Sequence, residues 1–512
     1  MYTMTAAALL ALSATFSPIP LTIKANVVMG TISPYVYGTN QPDWASKTKY
    51  LPFFRLGGNR WSAYNWETNA SNAGTDWYNQ NDDYMGGGNT PAEAVRRAVV
   101  AGFKKGAAAL VTVPITGHVS ADKNGGGDVN QTPDYLNVRF HPSYPAKGSA
   151  LHVKPNLTDH AVYQDEFVYS LKTKLTAYSN PLWFSLDNEP DLWFYTHPRI
   201  TLDKPTYASI AAQSKAYAQA IKAVAPDSLI FGPASYGWNG YQSFQDASDA
   251  NGRFFLNYYL QQFHGLEIAT GHRYLDVLDL HYYSEARGAN KRVTEGGNEQ
   301  GLLEARMQAP RSLWDPNYTE DSWISQWMTS GPIKLIRLMK AKINQSYPGT
   351  KLALTEWSFG GGDNITGGIA TADALGIFGR EGMFAASYWT LNGNEDFSYA
   401  AFDMFRNFDK AGGHFGDQEL QALNPDYDTV SIYASLDSSD PKAMTVVVIN
   451  KAFTSTQVQL KIQQATVLSA KGYQLTSAVA KPTPVSVTGV GATGFTATLP
   501  ATSVTTYRCT LQ

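Results

Sequence analysis

The chain has 512 residues, 43% of them hydrophobic and 16% charged, with a net charge of −3. That length exceeds one ordinary core and calls for two domains, or for one large barrel with an appendage. The near-neutral balance leaves no basic footprint, which argues against nucleic acid or an anionic membrane as a partner. Aromatic residues make up 13%, including 12 Trp and 30 Tyr. Such rings fill cores, and they also stack on the flat C–H faces of sugar rings. The single cysteine, Cys509, rules out an intrachain disulfide framework, a Cys-rich zinc site and a thiol-redox pair.

At the N-terminus, Ala6–Leu12 is a short apolar run followed by the small residues Ser13 and Ala14. It has the pattern of a secretion signal without its positive lead, since the first basic residue is Lys24. The run is too short to span a bilayer, so a secreted chain is expected. Leu21–Ser33 then has the alternating character of a sandwich strand and is expected to supply one or two strands to a C-terminal sandwich. Next comes a repeated unit, an apolar strand ending in polar residues and followed in several cases by a helical stretch. The expected strands are Tyr35–Asn40, Phe53–Asn59, Ala107–Pro114, Leu182–Pro190, Leu229–Tyr236, Leu275–Tyr283, Lys351–Phe359 and Ala385–Gly393. Helical patterns fall between several of them, at Pro91–Ala101, Asp165–Tyr178, Tyr207–Val224 and Ile333–Asn344. Near-continuous apolar strands read as parallel and buried on both faces, and eight such units predict a TIM-like (β/α)8 barrel. Thr116–His160 and Ser284–Gly331 are long insertions after strand C-terminal ends, where such a barrel builds its working face. From about Phe415 the chain changes to short, alternating, Val- and Thr-rich segments such as Thr429–Leu436, Ala443–Lys451 and Thr456–Gln464. These predict an antiparallel β-sandwich. The expected division is 33–415 for the barrel and 1–32 plus 416–512 for the sandwich, with no linker to separate them.

Within this frame, Leu182-Trp-Phe-Ser-Leu-Asp-Asn-Glu-Pro190 places Glu189 at the tip of the fourth strand. Leu352-Ala-Leu-Thr-Glu-Trp-Ser358 places Glu356 at the tip of the seventh. Strands four and seven stand on opposite sides of a barrel, so the two carboxyls face each other across its mouth. That is the equipment of a glycosidase, in which one carboxyl protonates the leaving oxygen while the other attacks the anomeric carbon or activates water. The competing reading is two solvated strand-end residues, or a structural ion pair with Arg55, which ends the second strand where its charge would also lower the pKa of a nucleophilic carboxyl. Asn188 is placed to hold a sugar hydroxyl or the nucleophile's partner group, and His281 and Tyr283 end the sixth strand where a tyrosine can orient a nucleophile. Trp389 ends the eighth strand as a floor under the reacting sugar. Trp61, Trp66, Trp323 and Trp327 on top loops, and Trp357 beside Glu356, are candidate sugar platforms, and together they suggest a long open cleft. No Gly-x-Ser-x-Gly elbow is present, which disfavours a serine hydrolase, and the glycine runs lack a phosphate-loop context.

The stretches Arg55–Asp82, Ser185–Trp193 with Thr196–Arg199, and Leu354–Gly361 resemble glycoside hydrolase family 44, within the clan of retaining (β/α)8 glycosidases; Ile32–Asn40 fits as well. The likeness covers nearly the whole chain. It implies an endo-acting β-1,4-glucanase on cellulose-like chains, with xyloglucan or xylan as further substrates. It also implies Glu189 as acid/base and Glu356 as nucleophile, an order that spacing alone does not assign. A retaining pair is expected about 5 Å apart, and Glu189 is expected to hold its proton through burial and the charge on Glu356. No cofactor is needed for the chemistry. The resembled family carries a structural divalent ion, and for a calcium the candidate ligands are Glu67, Asp122 and Asp165. The expected partner is a polysaccharide, and a monomer is expected. The rival readings are an exo-acting arabinofuranosidase or β-xylosidase of the same clan, and a non-catalytic carbohydrate-binding protein.

Overall fold

The computed structural model describes residues 17–391 and 393–512. The Ala6–Leu12 run, on which the expectation of export rests, lies outside the described residues. Eight parallel strands close into a barrel: β1 (Gly38–Thr39), β2 (Phe53–Leu56), β3 (Ala108–Val113), β4 (Leu182–Leu186), β5 (Ile230–Ser235), β6 (Val277–Tyr283), β7 (Lys351–Ser358) and β8 (Ala385–Tyr388). Each lies within its expected run, and β1 is the shortest because Pro34–Val36 forms a 3-10 turn before it. The strands read as continuously apolar because one face fills the barrel and the other lies under helices. Phe53, Leu110, Trp183, Phe231, Val277, Ala353 and Ala385, from seven strands, meet in one cluster. Only the barrel interior brings these together. Two residues further on, side chains return to the same face. That next layer is polar: Arg55, Thr112, Ser185, Asp279, Thr355 and Ser387 are all fully buried. An apolar floor therefore supports a polar storey directly below the C-terminal mouth.

The helix Tyr207–Val224 begins where Thr206 accepts a hydrogen bond from the Ser209 amide and Ser209 reciprocates, satisfying donors the helix leaves open. The helices Ile365–Arg380 and Asp396–Arg406, which follow β7 and β8, carry the second domain. That domain is one nine-stranded sheet built from Ile19–Thr31 and eight strands between Gln418 and Leu511. It curls on itself: Phe495 on one edge strand meets Tyr507, third from the other edge, with ring centroids 5.0 Å apart. The expectation of a wholly antiparallel sandwich needs one correction. Ile19–Thr31 pairs antiparallel with Gln418–Leu423 but parallel with Thr456–Gln463. No tight hairpin links these two strands, so nothing forces them to run in opposite directions.

Candidate active site

Glu189 stands three residues beyond the end of β4. Asp187 and Glu189 both have left-handed backbone, with φ of 67° and 44°, a conformation that costs a non-glycine residue energy. Neighbouring strand ends hold the turn in place. The Glu189 amide donates to Ala234 O at 3.0 Å, and the Ile115 amide donates to the Asp187 carboxylate at 2.5 Å. Glu356 lies inside β7 rather than at its tip. Leu280 pairs with Leu354 but His281 pairs with Glu356, so β7 carries one extra residue there. This bulge lets Thr355 and Glu356 both face inward.

Arg55 Nη1 donates to Glu356 Oε1 at 2.7 Å, and the Tyr283 hydroxyl donates to Glu356 Oε2 at 2.8 Å. His281 Nδ1 sits between the carboxyls, 2.8 Å from Glu189 Oε1 and 3.5 Å from Glu356 Oε2. One ligating atom from each of Glu189, His281 and Glu356 lies within 4.8 Å of the others. The Arg55 guanidinium already on Glu356 makes this trio a poor cation site. Arg55 is itself oriented by Asn188 Oδ1 at 2.7 Å and Asn40 Oδ1 at 3.2 Å. Burial pushes the Glu189 carboxyl up to about 7, with Arg55 opposing and Asp76 adding to the rise. The expected contribution from the charge of Glu356 is not among the principal causes. Burial also takes His281 down to about 3, so its ring is neutral. Tyr283 is raised by burial and then by the charges of Glu356 and Glu189, and it stays a donor.

Two cavities adjoin this cluster. One, of about 480 Å³, is lined by Tyr283, Tyr236, Trp238, Trp323 and Leu391 among others. The other, of about 910 Å³, is lined by Asn40, Gly58, Trp61, Trp77, Tyr84 and Trp389 among others. Tyr283 reaches Glu356 from the first, while Asn40 and Gly58 reach Arg55 and Asn188 from the second. The glutamates therefore lie where two halves of a groove meet. Trp61, Trp323 and Trp389 line it. Trp66 and Trp357 do not: both are fully buried. Trp66 stacks on Phe167 at 6.0 Å, and Trp357 packs edge-on against Phe378 at 5.0 Å, because the residue after the bulge turns outward under the helices. Trp327 is 72% exposed and lines neither cavity. Arg55, Asn188 and His281 are buried, and they hold the glutamates and one another rather than line the groove. Trp77, Tyr84, Tyr236 and Trp238 were not singled out in the sequence. For Trp77 the available signal was its place in the distinctive Arg55–Asp82 stretch.

The expected calcium ligands do not form a set. Asp122 is held by Arg139 through two hydrogen bonds of 2.7 and 2.9 Å. Asp165 accepts the amides of Lys147 and Glu166. Glu67 is raised to about 8 by burial, with Asp159 and Glu166 adding and Lys147 opposing. Among the described residues these three carboxyls do not converge on one point.

The closed parallel barrel, the attached sheet and the groove carrying two facing glutamates define the class: a barrel-type glycoside hydrolase. The family model for glycoside hydrolase family 44 matches residues 70–286. The chain is 34% identical to a family 44 xyloglucanase from Paenibacillus polymyxa of known structure, covering 96% of this chain and 99% of that one, with a TM-score of 0.92. It is 41% identical over 476 residues to endoglucanase A of Paenibacillus lautus, covering 88% of this chain. It is also 39% identical over 478 residues to a β-mannanase/endoglucanase A of Caldicellulosiruptor saccharolyticus, covering 87% of this chain. The chain spans 66% and 35% of the lengths of these two curated relatives. It belongs to glycoside hydrolase family 44. Among the described residues, no helix is long and apolar enough to cross a membrane.

Proposed function

We propose that the protein is an endo-acting retaining hydrolase of β-1,4-linked glucans. The observation that carries this reading is the approach of one Glu189 oxygen and one Glu356 oxygen to within 4.8 Å. Oxygens that close fit the short spacing of a retaining pair better than the roughly 6.5–9.5 Å that an inverting pair keeps between its carboxyl groups to admit a water. In the first step Glu356 attacks the anomeric carbon. Glu189 gives its proton to the departing oxygen, and a glycosyl ester forms on Glu356. In the second step Glu189 takes a proton from water, which displaces the ester with net retention. Arg55 and Tyr283 hold both Glu356 oxygens, so one carboxylate conformation faces the sugar before reaction begins.

Endo action is favoured over an exo pocket because cavities adjoin the glutamates on both sides. The names of the relatives support cellulose-type glucan, with xyloglucan as a second candidate. A polymer of that size cannot enter a cell, which supports export, and activity in the culture fluid of the source cells tests that part. The central test is hydrolysis by Glu189→Ala and Glu356→Ala with azide added. Rescue of Glu356→Ala giving an α-glycosyl azide is expected, as is rescue of Glu189→Ala giving a β-azide. Wild-type rates in both variants would reduce the pair to a structural role.

A further inference from the structure

Asp279 is a carboxyl that the two-step mechanism leaves without a task. It lies on β6 two residues before His281, facing the barrel interior, and is fully buried. An ionisable group in that position is costly unless something bonds it. Thr355 Oγ1 donates to Asp279 Oδ2 at 2.9 Å. The Thr355 amide donates to the same carboxyl, while Arg55 Nε bonds to no described residue. Burial pushes the Asp279 carboxyl up to about 7, with Arg55 opposing and Glu356 adding. The groups around it are Arg55 from β2, Thr355 and Glu356 from β7, and Tyr241 and Tyr259 from the helices Trp238–Ser243 and Phe255–Thr270.

Thr355 is the extra residue of the β7 bulge. Its hydroxyl is tied to Asp279, and its carbonyl accepts from Asn40 Nδ2 at 2.8 Å. The bulge is therefore fastened from β6 on one side and from the end of β1 on the other. A regular strand alternates its faces, so an unfastened β7 that straightened would turn Glu356 away from the mouth.

We propose that Asp279 is a positioning residue for the nucleophile: through Thr355 it fixes the β7 bulge and so holds Glu356 against Arg55 and Tyr283. This rests on the reading of Glu356 as nucleophile. A displacement of about 1 Å at a reacting atom costs on the order of 100-fold in rate. Asparagine keeps an acceptor for Thr355, whereas leucine removes it.

The test compares Asp279→Asn, Asp279→Leu and Thr355→Val on a soluble glucan and on an aryl β-cellobioside with a highly activated leaving group. The expected result is kcat within about 5-fold of wild type for Asp279→Asn and at least about 100-fold down for Asp279→Leu, with KM within about 2-fold for both. The loss persists with the activated glycoside, because that substrate relieves the need for an acid but not for an aimed nucleophile. Should Asp279→Leu not fold, Thr355→Val carries the test, with kcat expected about 10-fold down at unchanged KM. Wild-type kcat in the folded variants, a loss confined to KM, or a loss that vanishes with the activated glycoside overturns the proposal. Glu356→Ala run alongside separates the two readings. If it is inactive while the Asp279 variants are unimpaired, the positioning role alone fails; if it is active, the nucleophile reading fails and takes this proposal with it.

Discussion

Burial lifts Glu189 to about 7 and lowers His281 to about 3, so near neutrality the imidazole is uncharged and Glu189 holds the exchangeable proton. In the proposed mechanism, donation to the leaving group requires that proton, so kcat/KM is expected to fall as pH rises through about 7, a limb that Glu189→Gln abolishes along with most activity. The same shift costs stability. Below pH 4.5, the ordinary value for this carboxyl, it is protonated in both the folded and the unfolded chain and makes no difference. Between 4.5 and about 7 the unfolded chain gives up its proton first and the folded state loses ground, and above about 7 the whole penalty is present. Glu189→Gln is therefore expected to be more stable than wild type at pH 8, by at most about 3 kcal/mol, and equal to it near pH 4. Urea melts at the two pH values measure the gap. A constant gap would show that the glutamine acts through packing instead.

The groove depends on a single backbone conformation between β2 and the turn Asn59–Trp61. Gly58 has φ 101° and ψ 170°, a region essentially reserved for glycine. A Cβ there would stand 2.9 Å from the Trp389 ring, while the Gly58 amide donates to Asn188 Oδ1 at 3.2 Å. Gly58→Ala is expected to lose about 1–3 kcal/mol of stability and to raise KM on polymer as Trp389 shifts, with less effect on an aryl glycoside that occupies fewer sugar positions. An unchanged KM would remove Trp389 from the groove floor. Elements of this kind divide what the sequence revealed from what it hid. The eight barrel strands were legible because burial on both faces leaves an unbroken apolar run, as in Ala108–Val113. Glu189 was legible as a charge closing such a run. The β7 bulge was not, since one extra residue changes the facing of Thr355 and Glu356 without changing composition. Trp357 was misplaced for that reason, its neighbour turning inward while it turned outward. Trp66 and the calcium ligands failed differently, because whether a loop residue is buried, or meets carboxyls from another loop, depends on long-range packing that no local pattern encodes.

Across the whole molecule, the sheet is tied to the barrel as part of one core. Tyr433, Val447, Ile449, Leu475 and Val504 from the sheet belong to the same hydrophobic cluster as the barrel's outer face. At their centre Lys451 Nζ lies 2.8 Å from Asp373 Oδ2, with both side chains essentially unexposed, and the Tyr433 hydroxyl donates to Asp373 Oδ1 at 2.6 Å. Asp373 sits on the helix that follows β7, the strand bearing Glu356, so the contact links the sheet to the element that leads away from the site. Removing one partner of such a pair leaves a buried charge uncompensated, a loss of about 3–5 kcal/mol. All twelve tryptophans lie between Trp44 and Trp389, outside the strands of the sheet, so their fluorescence reports chiefly the barrel, with Trp314 also touching Tyr427 of the sheet domain at 5.1 Å. Lys451→Ala, a change at the end of the sheet strand Asp440–Asn450, is therefore expected to lower the unfolding free energy read from the tryptophan-detected urea transition by that amount, in step with far-UV circular dichroism. Were the two signals to separate, with fluorescence unmoved, the sheet would be melting alone and the shared core would not couple the domains. Coincident transitions would mean that the barrel draws part of its stability from the sheet on which its last two helices rest.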